Sequence, residues 1–270
     1  MEENRKRHEI INAPYNPVTG LGAVGERKKI SIKDSPIGDM YLPVELIKEN
    51  LFIRRLAKYG FKGYITRFIK EVEYSEEALN QLWIEFIKYR IIYDFEYWTY
   101  SFIFIKDKVS PKDIPFKLNR AQRRVLNKLE KLRKAGKPIK FILLKARQWG
   151  GSTLVQIYML WIMLVHRRNW NTVICGDVET QSRNVRAMIT KALNKYPSYL
   201  LGETVKFTPF EGSSKNKVIQ NTNCVVSIGS FQKPDTLRSG DISGAHLTEI
   251  GLWRATPGKK PEDLIQSISG

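Results

Sequence analysis

The chain has 270 residues, of which 42% are hydrophobic, so it can form one large domain or two small ones with a real core. Its 45 lysines and arginines outnumber its 27 aspartates and glutamates and give a formal net charge of +18. A balance this basic favours a polyanionic partner, nucleic acid first, although a basic surface without such a partner stays open.

Several classes of protein are excluded by composition. Cys175 and Cys224 lie in apolar runs and predict core thiols in a reducing compartment, not a disulfide framework or a zinc site. The apolar run at 154–165 is too short to span a membrane. The charged N-terminus shows no secretion signal, so we expect no membrane partner.

The first part of the chain divides into an arm and a helical region. Residues 1–40 are polar and rich in turn-forming residues, which predicts a loosely ordered N-terminal arm. Residues 41–115 show helical periodicity and predict a mostly helical subdomain, with Ser75 as the N-cap of one helix. The aromatic stretch at 93–102 could stack on bases, but it has few interleaved cations, so packing is the preferred interpretation.

Residues 116–270 alternate between helix and strand patterns. Asn119 is a plausible N-cap for a helix over 120–135, which Gly136 ends. The pattern then predicts, in chain order, a strand at 139–145, a helix at 152–166, a strand at 172–176, a helix at 179–196 and strands at 224–230 and 245–249. Such alternation is typical of an α/β fold with a mainly parallel sheet flanked by helices. Ligands in these sheets bind at the carboxyl ends of strands.

A glycine turn, Lys145-Ala146-Arg147-Gln148-Trp149-Gly150-Gly151-Ser152-Thr153, joins the first of these strands to the next helix. Backbone N–H groups in such a turn, with the helix dipole behind them, are typical of phosphate binding. In the usual pattern G-x-x-x-x-G-K-[ST], the hydroxyl holds Mg²⁺ and the lysine reaches the outer phosphates. Gly150 and Ser152 fit, but Lys145 replaces the first glycine and Gly151 the lysine. Lys145 and Arg147 are therefore the candidate cations; an ordinary capped turn is the alternative.

Further residues would complete a nucleotide hydrolase. The Gln122 amide, near Phe116, can pair with an adenine edge, or it is simply part of a helix start. Glu249 ends the last strand and could orient the attacking water, or it is a solvent-facing charge. Thr248 precedes it, where a hydroxyl could bind a metal-bound water. Arg238 is a candidate for phosphate contact, although such arginines are more often solvated.

Together these residues resemble the ATPase domain of phage terminase large subunits, the motors that package DNA into procapsids. The similarity runs from about Asp94 to Trp253, and Arg147-Gln148 ahead of the glycine is its most specific point. It implies a P-loop NTPase core of the RecA/ASCE-like kind over residues 116–270. It also implies DNA-dependent ATP hydrolysis with ATP and Mg²⁺ as cofactors.

The resemblance implies a role for each matching residue. Gln122 would read adenine, while Lys145 and Arg147 would contact the phosphates and assist catalysis. Ser152 would hold Mg²⁺, and Glu249 would be the catalytic carboxylate. Thr248 departs from the family, which has an aspartate there, and its hydroxyl could contribute to the metal site only through a metal-bound water. The remaining nucleotide-binding positions would be Ala146, Gln148, Trp149, Gly150, Gly151 and Thr153.

Partners follow from the same resemblance. Double-stranded DNA, a portal protein and a small terminase subunit are expected, with the chain in a homo-oligomeric ring in the host cell cytoplasm. The family's nuclease domain is not expected in these residues, so neither is nuclease activity. Two alternatives stay open: a helicase-like P-loop motor, and a basic nucleic-acid-binding module with a degenerate nucleotide site. Gly151 for lysine and Thr248 for the usual aspartate keep the second alternative open.

Overall fold

The computed structural model of the protein describes residues 2–69, 73–107, 109–144, 148–233 and 241–269. Its helices are α1 (Glu2–Asn12), α2 (Val44–Glu49), α3 (Leu51–Phe68), α4 (Glu76–Tyr93), α5 (Phe95–Phe102), α6 (Arg120–Lys134), α7 (Gly151–Trp161), α8 (Glu179–Leu193) and α9 (Pro261–Ser269). Its strands are β1 (Arg27–Ser31), β2 (Asp39–Pro43), β3 (Phe104–Lys106), β4 (Asp113–Pro115), β5 (Asn171–Gly176), β6 (Phe207–Phe210), β7 (Ser213–Ile219), β8 (Cys224–Ser230) and β9 (Gly244–Leu247). Within these ranges, none of the helices has the length and apolarity needed to cross a bilayer.

The chain divides into two compact units. The first comprises Met1–Phe104 and Lys112–Trp149, and the second comprises Ile105–Pro111 and Gly150–Gly270. Helix α6, which the sequence assigned to the α/β core, therefore belongs to the first unit.

Aromatic packing forms the core of the first unit. Phe61, Phe86 and Trp98 have no exposed surface. Helix α5 makes up most of the stretch at 93–102 and is largely buried, so the packing interpretation of its aromatic residues is confirmed. Ser75 caps α4 as predicted, with its side chain accepting from the Ala78 N–H at 3.1 Å.

Residues 1–40 differ from the loosely ordered arm that was predicted. They contain α1 and β1, and β1 pairs in antiparallel register with β2. The buried Arg123 guanidinium binds Glu96 at 2.9 Å and donates to the backbone carbonyls of Ile11 and Gly22. A buried arginine from α6 thus binds two points of the N-terminal segment, which turn propensities alone could not show.

The second unit contains a five-stranded sheet in the order β6-β7-β8-β5-β9. Strands β8, β5 and β9 run parallel, whereas β6 and β7 extend the sheet in antiparallel fashion. The sheet is therefore mixed, not mainly parallel. The strands predicted at 172–176 and 224–230 are confirmed as β5 and β8.

Helices lie on both faces of this sheet, which confirms the α/β class. On one face, Val173 and Cys175 pack with the stacked rings of Phe231 and Trp253, 5.0 Å apart, and with Leu264 of α9. On the other face α7 and α8 pack together, and α8 also contacts β5 and β8.

The strand predicted at 139–145 is wrong over its described part. Residues 139–144 have no regular structure, and Ile142 and Leu144 are 96% and 99% exposed. An apolar run shows that a strand is possible, but a strand also needs a neighbour for its backbone hydrogen bonds. Within the described residues this run is in no sheet.

Candidate functional site

Helix α7 begins directly after Gly150 of the predicted glycine turn. Gly150 is its N-cap, with φ 83° and ψ 26°, the left-handed conformation that glycine adopts at little cost. Gly150 has no side chain with which to cap the helix, in contrast to Ser75 at the start of α4. Ser152 and Thr153 are half-buried in the first turn. That turn presents backbone N–H groups at the positive end of the helix dipole.

Two contacts fix the direction of α7 on the sheet. Gln156 Nε2 lies 2.5 Å from His246 Nδ1 on β9. Met163, in the π-helical turn Ile162–His166 that continues α7, has its Sδ 4.0 Å from Thr172 Oγ1 on β5. Thr172 is in register with Gly244, two residues before His246. The helix therefore runs opposite to these parallel strands, with its first turn toward their carboxyl ends.

The same contacts place the start of α7 along the strands. Gly151 precedes Gln156 by about 7.5 Å, at a helical rise of 1.5 Å per residue. Thr248 follows His246 by about 6.6 Å, at a strand rise of 3.3 Å per residue. The first turn of α7 and the pair Thr248-Glu249 therefore share one edge of the sheet, the edge where ligands bind in such folds.

Glu249 is linked to the neighbouring strand by Gln181, a residue that the sequence analysis did not select. Its Oε2 accepts from Gln181 Nε2 at 3.2 Å, and Gln181 Oε1 accepts from the Asp177 N–H at 3.0 Å. The only signal in the sequence was the position of Gln181 in the first turn of α8, directly after β5. The Thr248 N–H donates to the Cys175 carbonyl at 2.8 Å, so hydrogen bonding to β5 continues to Thr248.

The chain turns sharply at Glu249. Strand β9 ends at Leu247, two residues earlier than predicted, and Thr248 is buried. Glu249 has φ 58°, a left-handed conformation that few non-glycine residues adopt, and it is the N-cap of the 3₁₀ turn Ile250–Leu252. Such conformations cluster at functional sites, and this one leaves the carboxylate exposed at the edge.

Gln122 is held in a reciprocal cap at the start of α6. Its Oε1 accepts from the Asn119 N–H, and Asn119 Oδ1 accepts from the Gln122 N–H, both at 2.9 Å. Asn119 Nδ2 also donates to the carbonyl of Trp149, the residue before Gly150, at 3.0 Å. The capping role is the alternative that the sequence left open, and adenine recognition by Gln122 stays a prediction.

The candidate cations Lys145 and Arg147, with Ala146 between them, lie outside the described residues, as does Arg238. Gln148, with φ 64°, is the first described residue after that gap. The roles predicted for these residues therefore stay predictions.

The side chains at this edge that could contribute to a magnesium site are oxygen donors. In the described parts of the chain, no three or more His, Cys, Asp and Glu side chains are grouped to hold a metal ion. Mg²⁺ prefers oxygen ligands and keeps several waters while binding substrate phosphates. The Ser152 hydroxyl and the Glu249 carboxylate, at one edge, are such oxygen donors.

Comparison of the chain with models of known protein families and with curated proteins finds no match. A function for the chain is therefore inferred from the arrangement of its own residues, above all from the edge that α7 and β9 share.

Proposed function

We propose that the second unit binds Mg²⁺-ATP at this edge and hydrolyses it, as the ATPase of a DNA-packaging motor of the terminase large-subunit type. The observation that carries the proposal is the start of α7, after left-handed Gly150, at the same edge as Glu249. The resemblance would put a strand leading into this turn at 139–145, but residues 139–144 form none in the described structure, so the proposal does not rest on that strand.

Each residue has a distinct task in this proposal. The first-turn N–H groups of α7 bind phosphate oxygens, and Lys145 and Arg147 supply the positive charge. Ser152 binds the metal directly and Thr248 through a water; Mg²⁺ neutralises the charge that develops on the phosphates. Glu249 orients the attacking water, and the hydrogen bond from Gln181 keeps its carboxylate in position.

The partners belong to the same proposal. A net charge of +18 suits a protein that holds DNA, and the motor's partners would be double-stranded DNA, a portal protein and a small terminase subunit. It would act as a ring in the host cell cytoplasm, each hydrolysis event moving loops that grip DNA.

One other function is favoured by particular observations. Residues 139–144 form no strand, and Gly151 replaces the usual phosphate-binding lysine. Both fit a basic nucleic-acid-binding module whose nucleotide site has degenerated. Such a module would bind DNA and lack ATP turnover.

The test compares Mg²⁺-ATP binding and hydrolysis, with DNA present, in the parent chain, Glu249→Gln and Glu211→Gln. Glu211 is a matched control because it is also exposed and left-handed, with φ 49°, but it lies in the β6–β7 turn. We expect Glu249→Gln to bind ATP normally and to lose turnover by about 10²-fold or more, as for loss of a general base. Turnover at the parent rate would remove Glu249 from catalysis.

A second comparison tests the phosphate turn. Lys145→Ala should weaken ATP binding more than Lys140→Ala, which removes an exposed lysine of the preceding segment. Equal losses would exclude Lys145 from the site. Absence of ATP binding by the folded parent would favour the degenerate module.

A further inference from the structure

Helix α3 carries an unusual concentration of positive charge. Its 18 residues include no aspartate or glutamate and five cations, which are Arg54, Arg55, Lys58, Lys62 and Arg67. Within the described residues none of these five forms an ion pair, whereas exposed Lys29 pairs with Asp39 at 2.7 Å. The charge of α3 is therefore not neutralised by the described part of the chain.

A sharp bend brings the two halves of α3 together. Gly60 interrupts the helix with φ 73° and ψ 176° and is buried. The Phe52 and Tyr64 ring centroids are 5.1 Å apart, although twelve residues of straight helix would separate them by about 18 Å. The Arg55 guanidinium likewise lies 4.4 Å from the Phe68 ring centroid. The two arms therefore fold against each other.

An open groove of about 410 Å³ lies on this bent helix. We call it the α3 groove; it is lined by Leu51, Arg54, Arg55, Lys58, Tyr59 and Phe68. Leu51 and Phe68 are 51% and 37% exposed, so the groove combines accessible apolar surface with cations.

Two arginines of α3, Arg55 in the groove and Arg67 outside its lining, lie over aromatic rings. Arg55 covers Phe68, and Arg67 lies 4.6 Å from the Tyr59 ring centroid. A stacked guanidinium is oriented by the ring, while its edge N–H groups stay able to bind phosphate oxygens. Each guanidinium lies over one face of its ring, so a base would have to compete with an arginine for that face. Backbone phosphates suit this surface better than unpaired bases do.

We propose that the α3 groove binds the phosphate backbone of double-stranded DNA without regard to sequence. The inference rests on the proposed function only for its choice of DNA as the partner. It assigns the contact to helix α3 of the first unit, none of whose residues has a proposed role in ATP hydrolysis. Arg54 and Lys58, one helical turn apart and exposed, provide the outer contacts.

The test measures binding of the whole chain to a labelled duplex of mixed sequence across a salt series. Arg54→Gln with Lys58→Gln is compared with Lys128→Gln plus Lys131→Gln, which removes the same charge from exposed positions of α6 in the same unit. Losing two phosphate contacts should lower the slope of log K against log salt by about 1.8 and weaken binding at least tenfold near 0.1 M salt. The α6 pair should change both much less.

Equal effects of the two pairs, or none from the groove pair, would overturn the proposal. Groove-dependent binding that favours single-stranded over duplex DNA would also overturn it, as would groove-dependent binding to phosphatidylserine vesicles without DNA binding. Mg²⁺-ATP binding, measured in parallel, should be the same in both pairs and the parent. If the parent chain binds DNA through the groove but hydrolyses no ATP, the proposed motor function is refuted and the groove proposal stands. If the parent chain hydrolyses ATP but its DNA binding does not depend on the groove, the groove proposal alone is refuted.

Discussion

Replacing Gly60 by alanine should destabilise the first unit by straining the bend of α3. A residue with a Cβ atom in this backbone conformation costs about 1–3 kcal/mol. The new Cβ would also lie 2.8 Å from Lys33 Cβ and 2.9 Å from the Lys33 carbonyl oxygen. That carbonyl accepts from the Phe61 N–H at 3.0 Å, so it cannot retreat without losing a hydrogen bond. Overpacking of this kind adds about 1–3 kcal/mol, and we expect a loss of about 3 kcal/mol or more.

The assay is urea unfolding followed by circular dichroism, with Gly63→Ala as the control on the same helix. Gly63 has no left-handed φ, and its added Cβ would meet only Tyr59 Cβ, at 3.3 Å. The gain in helix propensity, about 0.5–1 kcal/mol, should offset that contact, so this variant should stay near the parent. Equal stability of the Gly60→Ala and Gly63→Ala variants would refute the account of the bend.

Two further predictions concern buried titratable groups. Asp94→Asn leaves Arg27 and Arg90 buried without their carboxylate, and urea titration should show a loss of about 3–5 kcal/mol. Burial alone would raise the pKa of Asp94, but Arg27 and Arg90 outweigh it and hold the pKa at about 2. The ionised Asp94 carboxylate, with its two arginines, therefore stabilises the fold fully above the ordinary carboxyl pKa of 3.8. The free energy of unfolding should fall by this contribution between about pH 4 and pH 2 in the parent, but not in Asp94→Asn. Burial, and to a lesser extent the charge of Asp177, raises the pKa of the Cys175 thiol to about 12. Peptide mass spectrometry should therefore find Cys175 alkylated at about pH 8 only after unfolding. Equal alkylation rates in the folded and unfolded protein would contradict its burial.

Local signals in the sequence predicted many helix starts and two central strands. Ser75 and Asn119 cap helices because their side chains reach N–H groups only three residues away. Strands β5 and β8 are apolar and rich in β-branched residues, since they lie inside the sheet. These features depend on neighbours in the chain and can be predicted without knowing the fold.

Features that depend on distant partners could not be predicted in this way. Strand β7, Ser213–Ile219, is largely polar and is recognisable only by its pairing with β6 and β8. The run at 139–144 has the composition of a strand and, in the described structure, lacks the partner. Arg123 binds carbonyls about a hundred positions away, and no periodicity shows such a contact.

The candidate site shows the same division. The sequence placed the glycine turn at the carboxyl end of a strand at 139–145, which residues 139–144 do not form, and Glu249 at the end of a later strand. The approach of the first turn of α7 to the end of β9 is shown instead by the contact between Gln156 and His246. The hydrogen bond from Gln181 to Glu249 spans 68 positions and was not predicted. The sequence thus indicated the candidate residues Gly150 and Glu249, whereas their arrangement and the hydrogen bond that holds the Glu249 carboxylate required the fold.

The contact between Gln156 and His246 explains how this edge is kept in register. Gln156 has no exposed surface, and its Oε1 is buried without a hydrogen-bond partner among the described residues, an arrangement that costs about 1–3 kcal/mol. An apolar pair would pack there without that cost, but it would let α7 slide along β9, since dispersion contacts are not directional. A hydrogen bond has a narrow range of distance, so it fixes the height of the helix on the strand. The contact between Gln156 and His246 therefore contributes more to the position of Gly151 relative to Thr248 than to the stability of the fold. The proposed phosphate site depends on that position.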